Sequence, residues 1–199
     1  SYAAGLIAET GISTEAMREL TGIRVKSYDR VWPLEVVSFY GGDRHVYGTS
    51  EPVAPLLNGD DPDARVCGFV RQHTHKDPDM PGLLDKDCGD WRSVWSAAPT
   101  LPAALLREIS RDAGVHIYSD CGDQVLTPKG WLAVHAAFDG ERRIQLPASA
   151  TLEEFLTGET ITVGASESAS DGHHSTNPFT VMMRRGDTRI WKVRSKACD

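Results

Sequence analysis

The chain has 199 residues, 40% of them apolar and 25% charged, with a formal net charge of −7. That usage is ordinary for a globular protein of one domain or two small ones, so disorder is not the expectation. No basic run exceeds Arg184-Arg185, which argues against nucleic acid, whose phosphates demand surplus Lys and Arg, and no apolar run approaches the ~18 residues that suggest a membrane span.

Residues 1–7 read as the end of a strand running into a loop. Ser13 can cap a helix whose positive end suits Glu15, with Ile12 stapled on Met17 and Gly22 as the left-handed stop. Met17 and Leu20 are expected to share its apolar face. Residues 34–39 and 66–70 are rich in β-branched and apolar side chains and predict strands. Residues 41–65, dense in Gly, Pro, Asn and Asp, predict loops and turns, and residues 71–90 a long loop of the kind that serves a site or an interface. A strand is expected at 91–97 and a helix opening at Pro102, with Leu106, Ile109 and Ala113 at helical spacing and Gly114 at its end. A strand at 115–118 would follow at once. Strand, helix, Gly, strand is a βαβ pattern and implies a parallel sheet with a right-handed crossover.

After residue 121 the pattern changes. Short strands are expected at 124–126, 131–137, 143–146, 160–163, 179–183 and 189–193, separated by turn residues, which predicts a small antiparallel sandwich. Residues 164–177 are Ser/Gly/His-rich and read as an excursion. The expected division is an α/β domain at 1–121 and an all-β domain at 122–199. Two helices are too few for a complete α/β class, so this reading expects further strands upstream and a sheet edge that something else must cover.

Three stretches carry a family resemblance: Tyr2-Ala3-Ala4-Gly5-Leu6-Ile7 with Leu20-Thr21-Gly22-Ile23, Asp90 through Pro99, and Leu101-Pro102 through Asp120. They resemble the C-terminal half of multidomain glycoside hydrolases related to the family 42 β-galactosidases. In those proteins a catalytic (β/α)8 barrel precedes an amidotransferase-like α/β domain, often called the trimerisation domain, and a small β domain comes last. Trp131 through Ala136, Ile144-Gln145-Leu146-Pro147, Leu156-Thr157-Gly158-Glu159 and Gly186 through Trp191 resemble the strands and turns of that last domain. The resemblance is weak between residues 24 and 89, and Ala4 stands where the family has Pro. It implies an incomplete amidotransferase-like or flavodoxin-like parallel sheet followed by a β-sandwich. It further implies a non-catalytic part that packs on an N-terminal catalytic barrel, serves a carbohydrate-processing enzyme, and joins a homo-oligomer, a trimer by the domain's usual name. The compartment stays open between the cytoplasm and the periplasm or exterior of a bacterium.

Chemistry by this stretch alone has several candidate carriers. Glycoside hydrolysis needs two carboxyls ~5 Å or ~6.5–9.5 Å apart, and Asp85, Asp87, Asp90, Asp120 and Asp123 are available; solvated loop carboxylates are the commoner state of such residues. In the resembled family the catalytic Glu residues lie on the barrel. Amidotransferase chemistry needs a Cys on a Gly-flanked strand-to-helix turn, and Cys67, Cys88 and Cys121 have no helix after them. The four cysteines, with Cys198, show no CxxC spacing, so neither a zinc ribbon nor a disulfide framework is expected. His73 and His75 beside Asp77 have ligand chemistry, but a zinc site needs three or four ligands with support behind them; a solvated loop is favoured, and no cofactor is expected. Sugar binding would use exposed aromatics. Trp131 and Trp191 fall in strands and read as core, while Trp32, beside Pro33, and Trp91, with Arg92 next to it, are the candidates for substrate or interface contact. An independent carbohydrate-binding module is therefore the second expectation, and a Cys-dependent hydrolase the third.

Overall fold

The computed structural model describes residues 6–9, 11–71, 79–164 and 178–195. The chain divides into two compact units, Ser1–Ala113 and Gly114–Asp199.

The first unit opens with a short antiparallel pair, β1 (Ile7–Ala8) and β2 (Gly11–Ile12). Helix α1 (Thr14–Thr21) follows as expected, its Ser13 hydroxyl accepting the Ala16 N–H at 3.1 Å. Gly22 closes it at φ 71°, donating its N–H to the Arg18 carbonyl. The buried face is Met17 and Thr21, one turn apart, whereas Leu20 is exposed. Then come β3 (Val25–Tyr28), β4 (Trp32–Ser38), a 3-10 turn at Tyr40–Gly42, β5 (His45–Val53), β6 (Leu56–Gly59), β7 (Arg65–Val70), β8 (Pro81–Asp87) and β9 (Arg92–Ser96). Helix α2 (Ala103–Asp112) ends the unit. It buries Leu105 and half-buries Ile109, while Leu106 points outward.

Five strands form one sheet in the order β5-β4-β7-β8-β9, and β3 pairs with β6 beside it. Every pairing is antiparallel. Leu34 and Val36 from β4, Leu57 from β6, Leu83 and Leu84 from β8, and Trp95 from β9 fill the core.

This overturns the expected parallel α/β domain at 1–121, and with it the amidotransferase-like sheet. Residues 115–119 form no strand, so α2 is not a crossover between parallel strands. Two strands, β5 and β6, lie inside the segment expected to be loops, and β8 inside the expected long loop. The turn residues there have other causes. Gly48 has φ 120°, and a Cβ on it would lie 2.0 Å from the Leu34 carbonyl oxygen, so the close approach of β4 and β5 demands glycine. Pro33 and Pro52 face each other where the β4–β5 register shifts; Pro52 lies on the edge strand β5, and Pro33 lies in the part of β4 that β7 does not pair, so neither position needs a ladder N–H on its outer side.

The second unit is all antiparallel β. Its strands are β10 (Gln124–Leu126), β11 (Trp131–His135), β12 (Gly140–Ile144), β13 (Ala150–Glu154), β14 (Thr160–Val163), β15 (Phe179–Met183) and β16 (Thr188–Ser195). One sheet runs β10-β11-β16-β13-β14, and β12 pairs with β15 in the other. The two sheets share one core: Leu132, Val134, Leu152 and Trp191 on one side meet Ile144, Phe179 and Met183 on the other. Phe179 and Trp191 touch edge-on, with centroids 5.7 Å apart. Strand β13 was not expected from the sequence. Its inward residues are Ala150, Leu152 and Glu154, and the buried Glu154 breaks the apolar alternation. That carboxylate accepts the N–H groups of Leu156 and Thr157 at 2.8 and 2.6 Å, which ties down the turn after the strand. The sandwich also holds a buried ion pair. Arg142 Nε donates to Asp123 at 2.5 Å, and other Arg142 nitrogens donate to the carbonyls of Gly140 and Phe138.

Candidate functional site

Charge gathers at one end of the first unit's sheet. Arg65 on β7 stands directly opposite Asp85 on β8, and Arg92 on β9 lies diagonally across from Asp85, opposite Asp87. Such pairs share a sheet face. Arg92 Nε donates to Asp85 Oδ1 at 2.7 Å, and its Nη2 donates to Asp85 Oδ2, to Asp112 Oδ2 at 2.6 Å and to the Tyr40 hydroxyl at 3.0 Å. Arg65 Nη2 donates to Asp85 Oδ2 at 2.5 Å, and the Arg65 guanidinium lies over the Tyr40 ring, 5.3 Å from its centroid. Tyr40 donates its hydroxyl proton to Asp112 Oδ2 at 2.6 Å. Asp112 closes α2 and Tyr40 follows β4, so the cluster ties a helix end to three strands.

The electrostatics are one-sided. The Arg92 hydrogen bonds, then the Arg65 ones, hold the Asp85 carboxyl below the usual range against the upward push of its burial. The Tyr40 and Arg92 donors do the same for Asp112. Burial, then the hydrogen bond to Asp112, raises the Tyr40 phenol. Glycoside hydrolysis needs one carboxyl able to donate a proton near neutrality. Asp85 and Asp112 are both held ionised, with one guanidinium donating to both. The cluster braces the end of α2 and the Tyr40 turn against β7, β8 and β9.

Beside the brace lies a concavity of about 610 Å³. Asp63, Arg65, Asp87, Asp90, Trp91 and Arg92 line its wall, with Asp85 and Gly89. The β8–β9 turn builds its lip: Asp87 accepts the Gly89 N–H at 2.8 Å, Cys88 donates its N–H to the Trp91 carbonyl at 2.9 Å, and Gly89 has φ 95°. Cζ2 and Cη2 of Trp91 lie beside Gly22 at the end of α1, where a Cβ would come within 3.3 Å of the ring and 2.8 Å of Cys88 Sγ. Trp91 is 46% exposed. Behind it, Lys86 reaches the fully buried Asp61 at 2.8 Å, and Asp61 also accepts the Arg24 and Asp63 N–H groups. Burial pushes the Asp61 carboxyl up, but those donors outweigh it and leave it lowered.

Of the residues singled out in the sequence, Trp91 and Arg92 meet here. Trp32 does not: it begins β4 at the far end of the strand from Tyr40, half-buried, with Arg30 stacked over it at 5.4 Å. His73, His75 and Asp77 lie outside the described residues. Among the described residues, no group of three or more His, Cys, Asp or Glu side chains is placed to hold a metal ion. Cys67 lies within β7, and burial raises its thiol, the reverse of what a nucleophile needs. Sequence reading did not single out Arg65, Tyr40 and Asp112. The one legible signal was Asp85 and Asp87 on one arm of a tight turn with Arg92 on the other.

No family model matches the chain, and no curated protein matches it. Among solved structures it resembles a β-galactosidase from Bacillus circulans sp. alkalophilus, with a TM-score of 0.52 and 19% identity. The match covers 89% of this chain and 25% of that one. This chain therefore has the fold of a stretch of a β-galactosidase, spanning about a quarter of that chain's length.

Proposed function

We propose that this chain is the non-catalytic C-terminal portion of a β-galactosidase-like glycoside hydrolase, serving domain packing and oligomer assembly beside a catalytic barrel. The observation that carries the reading is the likeness just described, in which nearly the whole chain answers to a quarter of a β-galactosidase. The lowered carboxyls of Asp85 and Asp112 support it, because they are unsuited to proton donation.

The outer face of the first unit's sheet supports the assembly role. Val37 on β4 stands between Val46 on β5 and Phe69 on β7, in register across three strands. Val46 and Phe69 are about 40% exposed, and Phe39 beyond them is 61% exposed. A contiguous apolar face of this kind marks an interaction surface. Light scattering on the purified chain is expected to show a homo-oligomer that Phe69→Asp dissociates, and no turnover of nitrophenyl β-galactoside. A monomer at every concentration would sink the assembly role. Turnover by this chain alone would sink the non-catalytic one.

A further inference from the structure

The brace explains Arg92, Asp85, Tyr40 and Asp112, but not the concavity next to them. Trp91 is the most exposed tryptophan among the described residues; Trp95 and Trp191 are 1% exposed, and Trp32 and Trp131 are half-buried. Two carbons of its six-membered ring lie beside Gly22 and its main chain is tied into the β8–β9 turn, so its exposed part is presented from a supported turn. Around it stand the exposed carboxylates of Asp63, Asp87 and Asp90 and the exposed side chain of Arg65. Asp87 spends one oxygen on Gly89 and keeps the other. Arg65 is oriented by Asp85 and the Tyr40 ring through one edge of its guanidinium.

The mixture of signs selects the ligand class. A phosphate or an acidic sugar would meet several carboxylates. A cationic side chain would find the indole attractive but would meet Arg65 and Arg92 in the same wall. A neutral polyol meets neither objection. Its hydroxyls donate to carboxylates and accept from guanidinium, and the apolar C–H face of a pyranose can lie on the indole. The volume falls within the ~300–1,000 Å³ of small-ligand sites, room for a disaccharide.

We propose that the concavity at the β8–β9 turn is a carbohydrate-binding subsite for neutral pyranosides, with Trp91 as the stacking platform and Asp63, Arg65, Asp87 and Asp90 as hydroxyl partners. The site rests on its own geometry; only the choice of a β-galactoside as first probe rests on the accessory reading above.

The test is nuclear magnetic resonance on the full chain, following the tryptophan indole N–H signals during titration with lactose, cellobiose and xylobiose. The Trp91 signal is expected to move with half-saturation at ~1–10 mM, the weak range of a single-platform site, while the Trp95 and Trp191 signals stay fixed. Saturation transfer to the bound sugar is expected to vanish in Trp91→Ala, to survive in Trp91→Phe, which keeps a ring, and to weaken severalfold in Asp90→Ala. Unchanged Trp95 and Trp191 signals in the variants show that the fold is kept. No response to any of the three sugars, or transfer that persists in Trp91→Ala, would overturn the proposal, as would a response to N-acetyl-arginine amide with all three sugars inert. A response to cellobiose or xylobiose without lactose would keep the subsite and count against the galactosidase link. Oligomer size in Trp91→Ala, expected to equal the parent's, keeps the assembly reading separate.

Discussion

Asp85 is 5% exposed and takes hydrogen bonds from two guanidiniums that reach water. Replacing it with Asn leaves Arg92 and Arg65 with only part of their partners. Fully buried pairs cost ~3–5 kcal/mol when broken, and solvent around the two arginines reduces that, so Asp85→Asn is expected to cost about 2–3 kcal/mol in urea unfolding. The pH dependence follows from the depressed carboxyls of Asp85, Asp112 and Asp61. Their folded values lie below the ~3.9 of an unfolded Asp. The stability they contribute is complete above ~pH 5 and is lost as pH falls through the unfolded and then the folded values. Unfolding midpoints measured from pH 7 down to pH 2 should therefore fall below ~pH 5, and Asp85→Asn should flatten that fall. The thiols offer a second check. Cys121 is exposed and Cys67 is half-buried with a raised pKa, so iodoacetamide at neutral pH is expected to label Cys121 well before Cys67, as read by peptide mass.

Helix α1 is short, and its two ends hold it in place. Ser13→Ala removes the N-cap and is expected to cost about 1 kcal/mol. Gly22→Ala does more than strain a left-handed backbone, which by itself costs ~1–2 kcal/mol. The added Cβ would press on Cys88 and Trp91, so this single change at a helix end is expected to shift the Trp91 indole signal in the β8–β9 turn as well as lower the melting temperature. A Trp91 signal unmoved in Gly22→Ala would show that the turn is not supported by α1. Strand β5 has the same logic between strands: Gly48 is fixed by the β4 backbone, not by a turn. A sequence window rich in Gly and Pro thus reads as loop until the neighbouring strand is known.

The molecule has two cores that share no residue, one ending at Ile109 and the other beginning at Tyr118. Leu34→Ala and Leu152→Ala each remove a fully buried side chain and should cost about 2–5 kcal/mol. Hydrogen exchange is expected to speed up in strands β4, β5 and β7 for the first and in β11, β13 and β16 for the second. Spread of either effect over both cores would show that they open as one cooperative unit.

The sequence by itself determined what is local. The cap and stop of α1 were legible in Ser13 and Gly22, and the onset of α2 in Pro102, because capping is decided within one turn of chain. The short strands after residue 121 showed in the turn residues between them, except that β12 spans 140–144 instead of the expected 143–146 and β13 was missed, where a buried Glu154 stands at an inward position. Trp91, with Arg92 next to it, stood out as following an expected long loop, although residues 81–87 of that segment form β8. Only the tertiary structure decided what those elements pair with. A strand's alternation does not say whether its neighbour runs parallel or antiparallel, and a helix after a strand does not say that another strand follows. The antiparallel sheet, the strands among the prolines and glycines of 41–65, and the meeting of Arg65, Asp85, Arg92, Tyr40 and Asp112 all depend on contacts between residues distant in the chain.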